Sequence, residues 1–287
     1  MDLALAIELE GSHQGVGVVN RSGQVVETEF VEPGNGGRDG GLERVLDAVD
    51  QLRSREKRLP GELTVCGVSV GGRDALDSKT GREDQEVEQV RAALSDATGL
   101  PVHADNEGRA FALAEGWVGS ARDVDHYAAV KIGETVTGGL VLDGRLLDGG
   151  LGRAGRLGHV IVEPDGRRCP CGARGCLEAE VSVGAIESAT GRALTEPSYE
   201  HMRRVGRLVG RAAASVANLL DLKLIVCGGR VAREYSSTLY LAAQEELDAS
   251  CRLAFSRGAR IVSAHTPDPA GLVGAAAIGW RGLAAER

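Results

Sequence analysis

Short apolar runs separated by glycine-rich turns open the chain. Leu3 to Leu9 and Gly15 to Asn20 read as two strands joined by the polar turn Glu10-Gly11-Ser12-His13, and Ser22-Gly23 turns the chain into a third strand, Gln24 to Phe30. Pro33 to Gly41 is a loop, after which Leu42, Val45, Leu46, Val49 and Leu52 recur at helical spacing and predict a helix over about 41–55. Leu63 to Val70 is a buried strand ending in Gly71-Gly72. A second helix carries Val87, Val90, Leu94 and Ala97 and stops at Gly99, with Pro101 following. Val102 to Ala104 is a short strand and Glu107 to Trp117 a helix.

The second half repeats this order. His126 to Ile132 and Gly138 to Leu142 are strands, and Asp143-Gly144 is a hairpin signal leading into a return strand at Arg145 to Leu147. Then come a helix at His201 to Leu220, a strand at Lys223 to Cys227 ending in Gly228-Gly229, a helix at Ser236 to Ala249, a strand at Arg260 to Ser263 and a closing helix at Gly271 to Leu283. The pattern predicts two similar α/β halves hinged near residue 118. The first domain is 1–118, with the terminal helix 271–287 packing back on it, and the second is 119–270.

Composition narrows the class without naming a function. The 287 residues, 43% hydrophobic, suffice for two packed cores, and a net charge of −8 with no basic helix gives no electrostatic footprint for nucleic acid. With aromatics at only 3%, stacking platforms for single strands are also not expected. The chain opens directly on a strand-like run, with no basic start, long apolar segment or cleavage signal, which predicts a cytoplasmic location away from membranes.

Between Gly158 and Glu178 the sequence GHVIVEPDGRRCPCGARGCLE gathers one histidine and three cysteines. His159, Cys169, Cys171 and Cys176 read as one zinc site, because zinc takes four ligands, favours thiolate and imidazole, and in a closed Cys3His shell keeps no position for water. Gly172 and Gly175 stand where the chain must turn tightly. Disulfide pairing or buried free thiols are the alternative, which clustered Cys and His without a secretory signal make the poorer reading. Cys66, Cys227 and Cys251 read as apolar core residues.

Three of these segments together resemble the ROK family, named for its repressors, open reading frames and kinases. AGRLGH at 154–159 is similar to the family's Ala-Gly-Glu-Ile-Gly-His, CPCGARGCLE at 169–178 to its zinc motif, and DNEGRAFALAE at 105–115 to its Glu-Asn-Asp-Ala-Asn segment. VCGGRVA at 226–232 and GLVGAAA at 271–277 sit where the family has its nucleotide-side Gly-Gly turn and last helix. The resemblance implies a two-domain actin-like ATPase (ribonuclease H-like) sugar kinase fold with a zinc-binding insertion. It also implies homodimers, for which the glycines Gly206 and Gly210 offer either a surface between chains or a contact within one. The activity implied is transfer of the terminal phosphoryl group of ATP, with Mg2+, to a sugar hydroxyl.

Against that pattern the chain departs at several positions. The family's base aspartate becomes Glu107, which reads either as a displaced base or as a helix-start carboxylate stabilising the dipole. The first phosphate loop, Asp-x-Gly-Gly-Thr, becomes Glu8-Leu9-Glu10-Gly11-Ser12. The second becomes Gly133-Glu134-Thr135-Val136-Thr137-Gly138-Gly139. Each gains a glutamate where polyphosphate would approach, unless those side chains point to solvent. With Gly228-Gly229 these make the nucleotide-side candidates. For the sugar, Asn106, His159 and Glu178 match the family's contacts, while Arg156 replaces its glutamate. Arg156 either recruits an acidic or phosphorylated sugar or neutralises Glu107 or Glu10. The expectation is a sugar-binding protein inactive or weak as a kinase, without a helix-turn-helix domain and suited to a sensor role. The second reading is an active kinase with a shifted substrate.

Overall fold

A computed structural model describes residues 1–10, 13–31, 39–71 and 82–286. Among these the chain forms two compact units, Met1–Val118 with Thr266–Arg287, and Gly119–His265.

Unit 1 is built on a five-stranded sheet in the order β3-β2-β1-β4-β5. Its strands are β1 (Asp2–Glu10), β2 (His13–Asn20), β3 (Val25–Val31), β4 (Glu62–Gly71) and β5 (Val102–Asn106), with helices α1 (Asp39–Ser54), α2 (Arg82–Thr98) and α3 (Glu107–Trp117) between and after them. β1 runs antiparallel to β2 and parallel to β4, which is parallel to β5. Alternation along β1 separates the two faces. Leu3, Leu5 and Ile7 join Val45, Val49, Leu52 and Leu94 in one core. Ala4 and Ala6 pack with Leu272, Ala275, Ala276 and Trp280 of the last helix, α8 (Ala270–Ala285), in the other.

That second face is made of small residues because α8 lies very close. A Cβ at Gly67 would sit 1.9 Å from the Ala275 carbonyl oxygen, so glycine is required for the approach. Where the chain re-enters unit 1, the fully buried Glu115 accepts both the backbone N–H (2.9 Å) and the hydroxyl (2.6 Å) of Thr266. The long α2 differs from its expected phase. Ala97 is exposed and Thr98 is buried instead, its hydroxyl donating to the Leu94 carbonyl at 2.6 Å. A four-residue step from Leu94 keeps Thr98 on the inner face, and the threonine satisfies its own polar group there.

Unit 2 repeats the topology as β8-β7-β6-β9-β10. Its strands are β6 (Tyr127–Ile132), β7 (Val136–Leu142), β8 (Arg145–Leu146), β9 (Leu224–Gly228) and β10 (Arg260–Ser263). The turn at Asp143-Gly144 has positive φ at both residues, as its sequence predicts. β7 starts two residues earlier than the pattern suggests, so Gly138 and Gly139 lie inside the strand rather than in an open loop. They let a neighbouring segment approach: a Cβ at Gly155, itself at φ +92°, would come within 2.9 Å of the Gly139 Cα.

The helices of unit 2 are α4 (Leu177–Val181), α5 (Val183–Thr190), α6 (Tyr199–Leu220) and α7 (Arg230–Ser250). α4 and α5 are too short to leave a periodic signal. α7 begins at Arg230, ahead of the expected Ser236, where the helix is broken by non-helical angles (φ 43°, ψ −132°). Gly206 and Gly210 are used within the chain. A Cβ at either would meet an α7 carbonyl oxygen at 2.5 Å, so this surface receives α7 and not a second subunit. Cys66, Cys227 and Cys251 are buried, and burial pushes the thiols of Cys66 and Cys227 up to about 12.

Candidate functional site

The residues of unit 2 that follow β8 fold into a compact knuckle. Gly172 and Gly175 both have positive φ, and a Cβ at Gly175 would fall 1.6 Å from the Glu163 carbonyl oxygen. Backbone bonds from Cys169 N–H to Ala173 O (2.8 Å) and from Gly172 N–H to Cys169 O (2.9 Å) close the turn between the first two cysteines and the third. The donor atoms of His159, Cys169, Cys171 and Cys176 consequently all lie within 4.8 Å of one another. His159 Nδ1 is 3.7 Å from Cys169 Sγ, and Cys171 Sγ is 3.7 Å from Cys176 Sγ. Metal–ligand bonds of about 2.0–2.3 Å in a tetrahedron place neighbouring donors roughly 3.5–3.8 Å apart.

The four residues could therefore hold one divalent ion with thiolate and imidazole ligands, and the cysteines are not disulfide-bonded. Burial pushes the Cys176 thiol up to about 12 and raises that of Cys169. A bound cation would reverse this by stabilising thiolates. Buried Glu180 anchors the knuckle, accepting the Arg167 N–H (2.8 Å) and pairing with Arg204 of α6 (2.9 Å).

Arg156 and Glu178 flank His159. A 3-10 turn at Leu157–His159 has Arg156 as its first flanking residue, and the His159 N–H donates to the Arg156 carbonyl at 3.0 Å. A Cβ at Gly158 would lie 2.1 Å from the Val136 carbonyl oxygen, so the turn rests directly on β7. Glu178, only 7% exposed, accepts the Val136 N–H on Oε2 at 3.0 Å. Burial holds the His159 imidazole below its ordinary pKa, with Glu178 opposing and Arg156 reinforcing the shift.

The other expected loop residues of unit 2 meet at the end of β6. Gly133 N–H donates to the Thr135 carbonyl at 2.9 Å, making a tight turn that projects Glu134. Gly229, at φ +93°, follows Gly228 and caps α7; a Cβ there would lie 2.4 Å from the Ile132 carbonyl oxygen. This close approach brings the start of α7 to the turn, and Arg230 pairs with Glu134 at 3.0 Å. Sequence reasoning missed Arg230, although it directly follows the Gly-Gly turn.

In unit 1 the remaining candidates gather at the C-terminal ends of β1, β4 and β5. Asn106 is the N-cap of α3, its Oδ1 accepting from Gly108 N–H (2.9 Å) and Arg109 N–H (3.1 Å), which is why the helix starts there. Glu107 is the first residue of α3 and 8% exposed. Its carboxylate and the Glu10 side chain converge over Gly71, whose added Cβ would be 3.0 Å from the one and 2.9 Å from the other. The Glu8 carboxylate lies against Gly271 in the first turn of α8, 2.0 Å from where a Cβ would stand. Carboxylates are favoured at such a position.

Gly11 and Ser12 lie outside the described residues. Two more polar residues went unnoticed in the sequence. Arg109, 4% exposed, is held by Asp105 at 2.8 Å, an i,i+4 pair that the spacing alone could have suggested. Ser69, fully buried, pairs in register with Glu8 on one side and Asp105 on the other, and its hydroxyl has no hydrogen-bond partner among the described residues.

Comparison with known proteins agrees with this architecture. The chain is 26% identical to a glucokinase of Thermotoga maritima over 96% of each protein. It is 35% identical to an N-acetylmannosamine kinase of Citrobacter koseri over 64% of this chain and 67% of that one. A crystal structure of a ROK hexokinase from Thermus thermophilus superposes with a TM-score of 0.80 at 26% identity, covering 99% of both chains. Among the described residues no helix is long and apolar enough to cross a membrane. The family model described as ROK family matches residues 4–281, and the chain, with its two mixed sheets, belongs to that family and has its actin-like sugar-kinase fold.

Proposed function

We propose that this chain is a sugar-binding ROK protein in which phosphoryl transfer is weak or absent, serving as a sensor or regulatory component. The observation that carries the reading is the set of carboxylates at the strand ends of unit 1. Glu10 and Glu107 converge over Gly71, and Glu8 lies against the first turn of α8. A triphosphate arriving beside them meets like charge at short range, which disfavours binding even when Mg2+ offsets part of it. The ligand side is better kept. His159 and Glu178 stand together on unit 2 beside a donor set that fits a structural Zn2+, held by His159, Cys169, Cys171 and Cys176. Asn106 serves α3 as its cap, which fixes the amide's orientation and leaves Nδ2 to donate.

The second reading, an active ATP- and Mg2+-dependent sugar kinase, draws on the position of Glu107. A buried carboxylate at the first position of α3 is suited to accept a proton from a sugar hydroxyl, and relatives bear the names glucokinase and N-acetylmannosamine kinase. One experiment separates the two. Purified protein is assayed for ATP turnover with neutral, amino and acidic hexoses, beside calorimetric titrations with each sugar and with MgATP. Sugar binding with negligible turnover, and measurable turnover in Glu107→Asp, supports the proposal. Micromolar MgATP affinity with sugar-dependent turnover by the unaltered protein rejects it.

A further inference from the structure

Three polar side chains of unit 2 stand in a row beside the Cys/His cluster. Arg156 immediately precedes the 3-10 turn that ends at His159, and its guanidinium is near enough to act electrostatically on the imidazole. The Leu177 N–H donates to the Val160 carbonyl at 2.9 Å, and an isolated bridge pairs Ile161 with Cys176. That pairing brings Glu178 to the same imidazole. Arg156 and Glu178 accordingly act on His159 with opposite electrostatic sign.

The row has a defined chemistry. His159 turns Nδ1 toward Cys169, so a neutral ring committed to the metal through Nδ1 presents Nε2–H as a donor. Glu178 spends Oε2 on the Val136 N–H and has its other oxygen to accept. Arg156 supplies donors only, in a planar fork matched to carboxylate and phosphate oxygens. It already interacts with another group of the protein, and five N–H donors let it keep that group while taking a ligand oxygen.

A neutral sugar offers this guanidinium no charge, whereas an anion pairs with it bidentately. Resting on the reading of the chain as a sugar binder, we propose that its sugar is anionic: a carboxylate or phosphate on Arg156, with neighbouring hydroxyls on His159 and Glu178. The face then reads a sugar by charge as well as by hydroxyl pattern, and rejects the neutral hexose of the same shape.

The test is calorimetry on the full, metal-loaded chain with D-glucuronate, D-glucose 6-phosphate and D-glucose, without nucleotide. At least one anionic probe is expected to bind about tenfold or more tightly than glucose, an advantage that shrinks at raised ionic strength. Preference for glucuronate assigns a carboxylate, and preference for glucose 6-phosphate a phosphate. Arg156→Gln, checked for retained metal and melting temperature, removes the advantage, and Arg156→Glu reverses it. Glucose binding as tightly as both anions, or a preference that survives Arg156→Gln, overturns this proposal while the sugar-binding reading stands. Absence of binding by all three probes overturns both.

Discussion

The β1–β2 and β6–β7 hairpins hold the same place in the two sheets, and each carries a glutamate near its end, at Glu10 and Glu134, yet the surroundings differ. In unit 1 a second glutamate side chain shares the position: the Glu10 methylene and the Glu107 carboxylate approach the same glycine. In unit 2 Glu134 meets Arg230, the first residue of α7. One hairpin end brings two glutamates to the same glycine, and the other sets its glutamate against an arginine. The two glutamates thus differ in their surroundings, because Glu107 enters unit 1 from the start of α3 after the edge strand β5, whereas Arg230 enters unit 2 from the start of α7 after β9. On the proposed reading, the main obstacle to a polyphosphate lies in unit 1.

The comparison can be broken most severely through the knuckle. Glu178 follows Cys176 by two residues and holds the Val136 N–H at the base of the β6–β7 turn, so the segment carrying the Cys/His cluster is tied to that hairpin. Cys176→Ser, or chelation, should abolish bound metal and lower the melting temperature by about 10 °C, as expected for losing a few kcal/mol from a structural site. Hydrogen exchange should then show lost protection at Ile132 to Thr137 and unchanged protection at Val16 to Val18. Equal loss in both hairpins would mean that the knuckle supports the whole chain. Glu10→Gly comes next. Removing one of the two glutamates beside Gly71 should tighten MgATP binding about tenfold by calorimetry, roughly 1.4 kcal/mol.

The smallest effect belongs to the exposed pair. Glu134→Gln should strengthen MgATP binding only about two- to threefold, because both partners are roughly half exposed and screened, and Arg230→Ala should cancel that gain. A larger response to Glu134→Gln than to Glu10→Gly would invert the assignment of the obstacle.

Much of the fold was legible in the sequence because its elements are long and cleanly patterned. The bounds of α3 and β10 coincide with those read from the sequence, and the knuckle's Cys/His cluster was recognisable because metal chemistry restricts residue type and spacing together. What escaped depends on partners distant in the chain. That Gly138 and Gly139 lie inside β7 with Gly155 against them shows only in the fold. Gly206 and Gly210 allow an interface of either kind, and only the position of α7 decides. Arg230 gains meaning from Glu134, ninety-six residues away, which no local window joins. Ala97 failed for a simpler reason: a three-residue step was chosen where the helix takes four.

The closing helix has a temporal consequence. α8 supplies Leu272, Ala275, Ala276 and Trp280 to the second core of unit 1, whose strands are made before those of unit 2. Residues 119–265 form a continuous unit and can fold once β10 has been synthesised. The earlier segment must wait with the alanine face of its sheet uncovered until α8 has been made. In a protein synthesised from its amino terminus, the second unit is therefore able to complete itself before the first, and loss of α8 strikes strands made long before it.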